Sequence, residues 1–454
     1  TLKEKRDQLK KRFLPYEFGA LELHGFSDEQ QKFAKKLIDF DGGKKSLDDI
    51  KKAYFQLVSE PYFKNVYPNF TYDKVSEHYV FELYLKRTAK NSLSLDFGGN
   101  ISTRQVSTLQ LGVKLNSFKK KLNTYKARVS TGRFYESVNL GTRFNINPKN
   151  RLFVEPNFTY NHWDFLNTDD ILDNSVEPVV IERFDRKAGV TLGIGTGQRS
   201  VVTLNTGYIR NSDEYGNNAV VSSDDLLDQL ELGSFVTEVA YERNSLNKKQ
   251  FPTFGSRFYA SASLFNGSSD YIPGSTSVLF NPNVSSQFSR NVNWISLKAS
   301  IDEYFKINDM YTFGWMFNGQ YSSIKPLDNF QGTQLYLPAF EPLFDSQTYF
   351  LESYRAQGYV AAGMKHLLNF AKNLDFRFEL YAYSPFKWAI QTTNQETIVE
   401  SGLQRPSFIG MAALIYNTLP GPISLRLNFI EENNVQFGLM LSFGYLIFER
   451  KSHE

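Results

Sequence analysis

Cysteine is absent from the 454 residues, which excludes disulfides and thiolate metal centres and leaves the redox compartment open. An excess of one charge is absent too: 51 Lys and Arg against 48 Asp and Glu leave a net charge of +3. That is too little for a strong nucleic-acid field, and no nucleic-acid partner is expected. Long apolar runs are missing as well. No stretch reaches the roughly 18 residues a membrane helix needs, and the mean hydropathy of −0.39 is that of a soluble chain. Trp (4) and Met (5) are few, but Phe (40) and Tyr (26) bring aromatics to 15%. Aromatic enrichment at low hydropathy suits β structure, and it suits a membrane β-barrel, whose polar lumen face dilutes the apolar one.

Chemistry-bearing clusters are also scarce. The histidines, 24, 78, 162, 366 and 453, show no metal-ligand spacing and read as satisfied or solvated. Asp169-Asp170 and Asp224-Asp225 read as loop solvation rather than calcium ligands. There is no G-x-S-x-G nucleophile elbow and no glycine-rich phosphate loop. No catalytic residue, metal or cofactor is expected, and the chain is not read as an enzyme.

The chain opens TLKEKRDQLKKRF, without an initiator Met or a signal peptide, as expected if a leader was cleaved or if this is a fragment of something longer. Residues 1–17 read as a linker or solvated helix continuing from something upstream. Residues 18–88 form a small α+β module. ALELHGF is a short strand. Ser27 and Gln30 make a capping box ahead of Phe33, Ala34, Leu37 and Ile38 at helical spacing. DGGKKS is a turn. Ser46 caps a second helix with Leu47, Ile50, Tyr54, Leu57 and Val58 on one face, and Pro61 follows its end. YFKNVYPNF and HYVFELYLKR are two further strands.

From about residue 92 the pattern changes to strict alternation. In LQLGVKLN (109–116), LDFRFELYAY (374–383) and ISLRLNF (423–429) one face is apolar and the other carries Lys114, Arg377 or Arg426. About sixteen such segments follow one another, each long enough for the roughly 9–11 residues of a tilted membrane strand. Short connections (NPKNR, GTGQR, FKINDM, FAKN, NTLPGP) alternate with long polar ones at about 164–177, 211–232, 266–292, 324–354 and 385–404. Loop lengths sorted by parity point to an outer-membrane barrel rather than a sandwich. Near the end, NVQFGLMLSFGYLIF puts Val435, Phe437, Leu439, Leu441, Phe443, Tyr445 and Ile447 in one apolar row, expected to face lipid. The expected fold is therefore mainly β: a sixteen-stranded antiparallel transmembrane β-barrel over 92–448, preceded by one small α+β domain.

Three stretches resemble the BamA/TamA superfamily, the POTRA-plus-barrel proteins also called bacterial surface antigens. NSLNKKQFPTFG (244–255) resembles the family's F-P-T-x-G turn, matched by Phe251, Pro252, Thr253 and Gly255. YRAQGYVAAG, closing the longest loop, resembles its R-G-F/Y motif. Arg355 matches the Arg, Ala356 stands in place of the Gly, and Gly358-Tyr359 arrive late. The resemblance implies an intraluminal ion pair of Arg355 with Glu379, or alternatively Asp375. Gln436, Gly438, Leu441 and Phe443 are similar to the β-signal of a last barrel strand. The 18–88 module then resembles a single POTRA domain, and the layout is closest to the barrel portion of patatin-fused members.

The resemblance implies a bacterial outer-membrane location, lipid contact and a periplasmic POTRA. It also implies that the chain translocates or inserts polypeptide, with the POTRA taking substrate by strand addition. The same layout fits a membrane anchor and scaffold for an upstream or separate patatin-like lipase domain, and the sequence leaves both open. A passive porin is a third reading, opposed by the returning loop that carries Arg355.

Overall fold

The computed structural model describes residues 16–453 except 41–42, 60–62, 64–65, 86–90, 105, 119–120, 166–180, 198, 218–223, 284–285, 393–395 and 433–434. The basic opening up to residue 15, Pro61, Asp169-Asp170 and Asn434 lie outside the described residues.

The N-terminal module is a four-stranded sheet carrying two helices. Its strands are β1 (Glu17–His24), β2 (Lys45–Ser46), β3 (Val66–Asp73) and β4 (His78–Leu85), in the order β2-β1-β4-β3. The helix Asp28–Ile38 begins as its sequence requires. The Gln30 N–H donates to Ser27 Oγ (3.4 Å) and the Ser27 N–H to Gln30 Oε1 (2.8 Å), so two otherwise unpaired helix-start donors are satisfied. Phe33, Ala34, Leu37 and Ile38 are buried against Ile50 and Leu57 of the second helix, Leu47–Ser59. Part of DGGKKS, expected as a turn, is instead β2: Lys45 and Ser46 pair antiparallel with β1, because an edge of the sheet lies beside them. On β4 the Glu82 carboxylate accepts from Thr71 (2.8 Å), Asn69 (2.9 Å) and Tyr84 (2.9 Å). The Thr71 hydroxyl first, then the Asn69 amide, hold it below the usual carboxylate range.

The rest is one closed antiparallel barrel. Its strands in chain order are β5 (Asn91–Ser102), β6 (Thr108–Phe118), β7 (Leu122–Gly132), β8 (Tyr135–Asn147), β9 (Leu152–Asp164), β10 (Ile181–Gly197), β11 (Ser200–Tyr215) and β12 (Asp228–Asn244). They continue with β13 (Gly255–Ile272), β14 (Phe288–Lys306), β15 (Tyr311–Ser322), β16 (Gly358–Ala371), β17 (Leu374–Gln391), β18 (Thr397–Ser401), β19 (Ser407–Asn417), β20 (Pro422–Glu431) and β21 (Val435–Gly444). Both β18 and β19 pair along β17, at different heights, and share one place in the wall. The circuit therefore has sixteen positions. The stretch 385–404, expected as a loop, is largely a hairpin in which β17 runs on to Gln391 and pairs with Thr397–Ser401. Polar side chains do not end a strand whose backbone still has a partner. For the same reason β10 to β14 are 16 to 19 residues long. At about 3.4 Å per residue and a tilt of about 40°, such a strand rises roughly 45 Å, well past an apolar band of about 25 Å.

Alternation assigns the faces. Leu109, Leu111 and Val113 are exposed outward, while Gln110 donates to Ser130 Oγ (3.3 Å) and Lys114 lines the lumen. On β21, Val435, Phe437, Leu439, Leu441 and Phe443 are exposed, and Gly438, Met440 and Ser442 are buried inward. This last strand ends at Gly444 rather than 448, and Ile447 is not on it. Gly444 has φ 102°, and a Cβ there would come within 2.1 Å of the Gly99 carbonyl oxygen, so glycine permits both the close crossing and the change of direction.

The module packs on the short-turn rim. Phe118 and Leu122, flanking the β6–β7 turn, enter its core. Phe118 lies edge-on to Phe33 at 5.3 Å and to Phe63 at 6.1 Å.

Replacing Leu111 by Arg places a charge on the lipid face and is expected to cost roughly 2–4 kcal/mol near mid-membrane. Lys114→Ala should cost far less. Urea-dependent folding of each variant into vesicles, followed by heat-modifiable mobility, measures both; equal losses would reverse the assignment of faces.

Candidate functional site

The lumen is filled from the long-loop end by residues 323–357, between β15 and β16. Its apolar side chains are buried among the walls. Leu327, Phe330, Leu335 and Leu337 join a cluster on β8–β14 that also takes in Ala389 of β17. Phe340, Leu343, Leu351 and Tyr354 join a second on β16–β20. Polar side chains then pin the loop at separate points. Asn329 caps the helix Phe330–Tyr336 through the Gly332 N–H (2.7 Å), donates to Asp228 (2.7 Å) and accepts from Tyr215 (2.9 Å). Tyr336 donates to Asp213 (2.7 Å), which also takes a two-pronged bond from Arg183 (2.5 and 3.0 Å). The Arg183 guanidinium stacks 4.5 Å over the Tyr336 ring. Asp345 accepts from Asn428 (2.7 Å) and Arg426 (3.4 Å). The Tyr354 hydroxyl reaches the carbonyls of Phe408 (2.7 Å) and Glu431 (2.9 Å). A charge removed from water survives only if paired, and these pairs satisfy that condition.

From the opposite rim the β12–β13 connection folds inward. Phe251, at φ 52°, is buried and meets Phe344 of the long loop edge-on at 5.1 Å. The Pro252 carbonyl accepts from Arg377 (2.8 Å). Thr253 is held by Asn247 in both directions (3.0 Å each). At Gly255, φ 98°, a Cβ would lie 2.2 Å from the Ser245 carbonyl oxygen. The F-P-T-x-G residues thus form a tight turn that touches both the wall and the loop from the far side.

Arg355 is buried inside the barrel, but its expected partner is replaced. Its guanidinium faces Glu341 of the same loop (3.4 Å), donates to the Gln334 carbonyl (3.4 Å) and lies 4.3 Å over Phe350. Glu379 is bound by Arg377 and accepts from Tyr381 (2.5 Å). Asp375 accepts from Asn417 (2.7 Å). The register explains the change. Glu379 pairs with Lys365, seven residues along β16 from Gly358, or roughly 24 Å at about 3.4 Å per residue. An arginine three residues before Gly358 is out of reach unless the loop descends that far. Glu341 and Asp345, isolated acids in the aromatic run LYLPAFEPLFDSQTYF, were the missed partners. A lone carboxylate in an apolar loop is the signal that marks them.

Lys451, beyond the last strand, also binds Glu341 (2.9 and 3.1 Å), so residues past Gly444 enter the lumen too. Below them, on the short-turn side, lies a basic vestibule of about 580 Å³ lined by Lys114, Lys126, Arg143, Arg151 and Arg199 with Glu155 and Glu242. One histidine also finds a partner that linear spacing did not show: His162 Nε2 lies 2.8 Å from Glu182, because β9 and β10 are neighbours, and 3.6 Å from Asp164, two residues on along β9.

The wall has one weak seam. β21 pairs with β20 from Val435 to Phe443, yet with β5 only at Ser442–Ser102, Phe443–Ile101 and Gly444–Asn100. Two flanking main-chain bonds, Thr103 N–H to Leu441 O (2.9 Å) and Tyr445 N–H to Gly99 O (2.7 Å), and the bond from Leu441 N–H to Thr103 Oγ1 (3.1 Å) add to it. Residues 91–97 of β5 are exposed on both faces. Gln436 and Gly438 sit on the inward face of β21 above the paired part, and Leu441 and Phe443 on its outward face.

No family model matches the chain, and no curated protein matches it in sequence. Solved structures match its fold. BamA from Haemophilus ducreyi lacking POTRA domains 1–3 is similar at 13% identity and TM-score 0.58, over 94% of this chain and 84% of that one. CdiB from Acinetobacter baumannii is similar at 12% identity and TM-score 0.50, over 95% and 74%. CdiB from Escherichia coli is similar at 10% identity and TM-score 0.50, over 94% and 76%. The fold is a BamA-type sixteen-stranded barrel.

The Asp345–Arg426 pair offers a test of the loop anchoring, since both side chains are 1% exposed. Asp345→Leu strands a buried guanidinium and is expected to cost roughly 3–5 kcal/mol, with faster proteolysis inside 323–357. Asp345→Leu with Arg426→Leu should lose less than the single variant. Additive losses in thermal unfolding would show that the two side chains are not coupled.

Proposed function

We propose that this chain is a bacterial outer-membrane barrel that inserts or translocates polypeptide, with the N-terminal module serving as a POTRA-type docking domain in the periplasm. The seam between β5 and β21 carries this reading. Backbone groups facing hydrocarbon must be paired within the protein, and here much of two strands lacks a partner across the seam. Asn91–Gly98 of β5 and Val435–Met440 of β21 each have ladder bonds on one side only. Such edges are templates for an added strand. A client strand inserted there satisfies both edges, and opening the wall breaks only three ladder pairs and the few bonds that flank them.

The module supports the same reading. β3 is an edge strand, largely exposed, with Tyr67, Phe70 and Tyr72 on its surface. An extended segment added there gains main-chain bonds along β3 and aromatic contacts beside them. Gln436, Gly438, Leu441 and Phe443 are read as the β-signal by which this barrel is itself recognised during assembly. The similarity to BamA and CdiB agrees with a polypeptide-handling role. The lumen filled by 323–357 disfavours a wide passive pore.

A disulfide across the seam tests the proposal. Ser102→Cys with Ser442→Cys joins paired positions in a chain that has no other thiol. In vesicles, the reduced protein is expected to speed membrane insertion of an unfolded eight-stranded barrel, the oxidised protein to leave it at the rate of empty vesicles, and reductant to restore the effect. Equal acceleration by both forms would remove the seam from the mechanism.

A further inference from the structure

After Gly444 the chain does not leave the barrel. The segment 445–453 turns into the lumen and crosses it, bound along its length. The Leu446 N–H donates to Gln250 Oε1 of the inward turn (3.2 Å). Phe448 packs edge-on against Tyr135 (4.9 Å) and at a tilt against Trp163 (5.1 Å). The Glu449 N–H donates to the Tyr135 hydroxyl (2.7 Å), and its carboxylate pairs with Arg128 (2.6 Å). Arg450 forks onto Glu238 (3.0 and 2.6 Å). Lys451 holds Glu341 of the long loop (2.9 Å). The Ser452 N–H and hydroxyl bond Asp185 (2.9 Å) and Asn211 (3.1 Å). His453 reaches Arg183 (3.5 Å) and the Tyr336 ring (5.4 Å).

The wall residues come from six successive strands, β7 to β12. They offer an aromatic shelf for Phe448, a base for Glu449 and an acid for Arg450, while the acid for Lys451, Glu341, comes from the long loop. Lys451, Ser452 and His453 are buried to within 6% exposure. A second cavity of about 230 Å³ shares Glu155 and Thr191 with the basic vestibule, and Glu449, Arg450, Lys451 and Ser452 line it. The segment therefore lies between the vestibule and the loop helix Phe330–Tyr336.

We infer that the inner wall of β7–β12 is a peptide-binding groove and that residues 446–453 are its resident occupant, a plug that closes the lumen between the vestibule and the outer loop. The groove, completed by Glu341 of the long loop, is suited to an extended peptide with an aromatic residue followed by an acid and two bases. This extends the polypeptide-handling reading but does not involve the seam, so the seam disulfide and the experiments below fail independently.

Planar-bilayer conductance of the full chain, of a variant lacking 446–454, and of that variant with the synthetic peptide LIFERKSHE tests it. The full chain is expected to stay closed, the shortened chain to conduct, and the peptide to block it, whereas a scrambled peptide does not. A shortened chain that shows the heat-modifiable mobility of a folded barrel yet stays as closed as its parent overturns the proposal. So does equal block by both peptides. Charge exchange serves if the shortened chain fails to fold. Arg450→Glu should raise conductance, and adding Glu238→Arg should lower it again. No rise in the single variant, or no recovery in the double, overturns the inference equally.

Discussion

A peptide group in hydrocarbon has no water to bond, so every N–H and C=O in the membrane must find a partner within the protein. For a chain without a long apolar helix, that demand leaves a closed sheet. The remaining features follow from closure. Strands must alternate, because one face meets lipid and the other a polar interior. Their number must be even if both ends of the sheet are to meet as antiparallel neighbours with the short turns on one rim. The connection that supplies no wall strand, 323–357, has only the interior or the outside to occupy, and its aromatic residues take the interior.

Closure is least complete where the first and last strands meet. There β21 crosses β5 at the end of one and near the far end of the other, held by three ladder pairs and three flanking bonds. The wall is continuous in topology but weak in energy along that line. The same backbone rule that forces closure makes this line the place where an incoming strand gains most.

The interior obeys a different rule. Buried guanidinium groups at 183, 355, 377 and 426 are each matched to a carboxylate, at Asp213, Glu341, Glu379 and Asp345. Such pairs add little net stability over apolar packing, but they are costly to break singly, and so they fix where loop, turn and trailing segment sit. Glu341 binds the loop's own Arg355 and the trailing Lys451 at once, and it joins the two elements that fill the lumen.

Much of this architecture was legible in the chain. A period of two over some 350 residues specifies strands and their faces, since successive side chains point oppositely. The parity of loop lengths specifies the two rims. The capping box at Ser27 and the helical spacing after it specify the module's first helix. Pairing across the lumen was not legible. Alternation shows that Glu379 points inward but not at what height, and height depends on register, which accumulates from every neighbouring strand. Arg355 therefore meets Glu341, fourteen residues away in its own loop, rather than the carboxylate the family resemblance suggested. The end of β21 at Gly444 and the return of residues 445–453 into the barrel were equally beyond the sequence. YLIF continues the apolar row, and only the tertiary structure, by placing β5 against Gly444 and an aromatic shelf at Tyr135 and Trp163, turns Leu446 and Phe448 away from lipid and into the lumen.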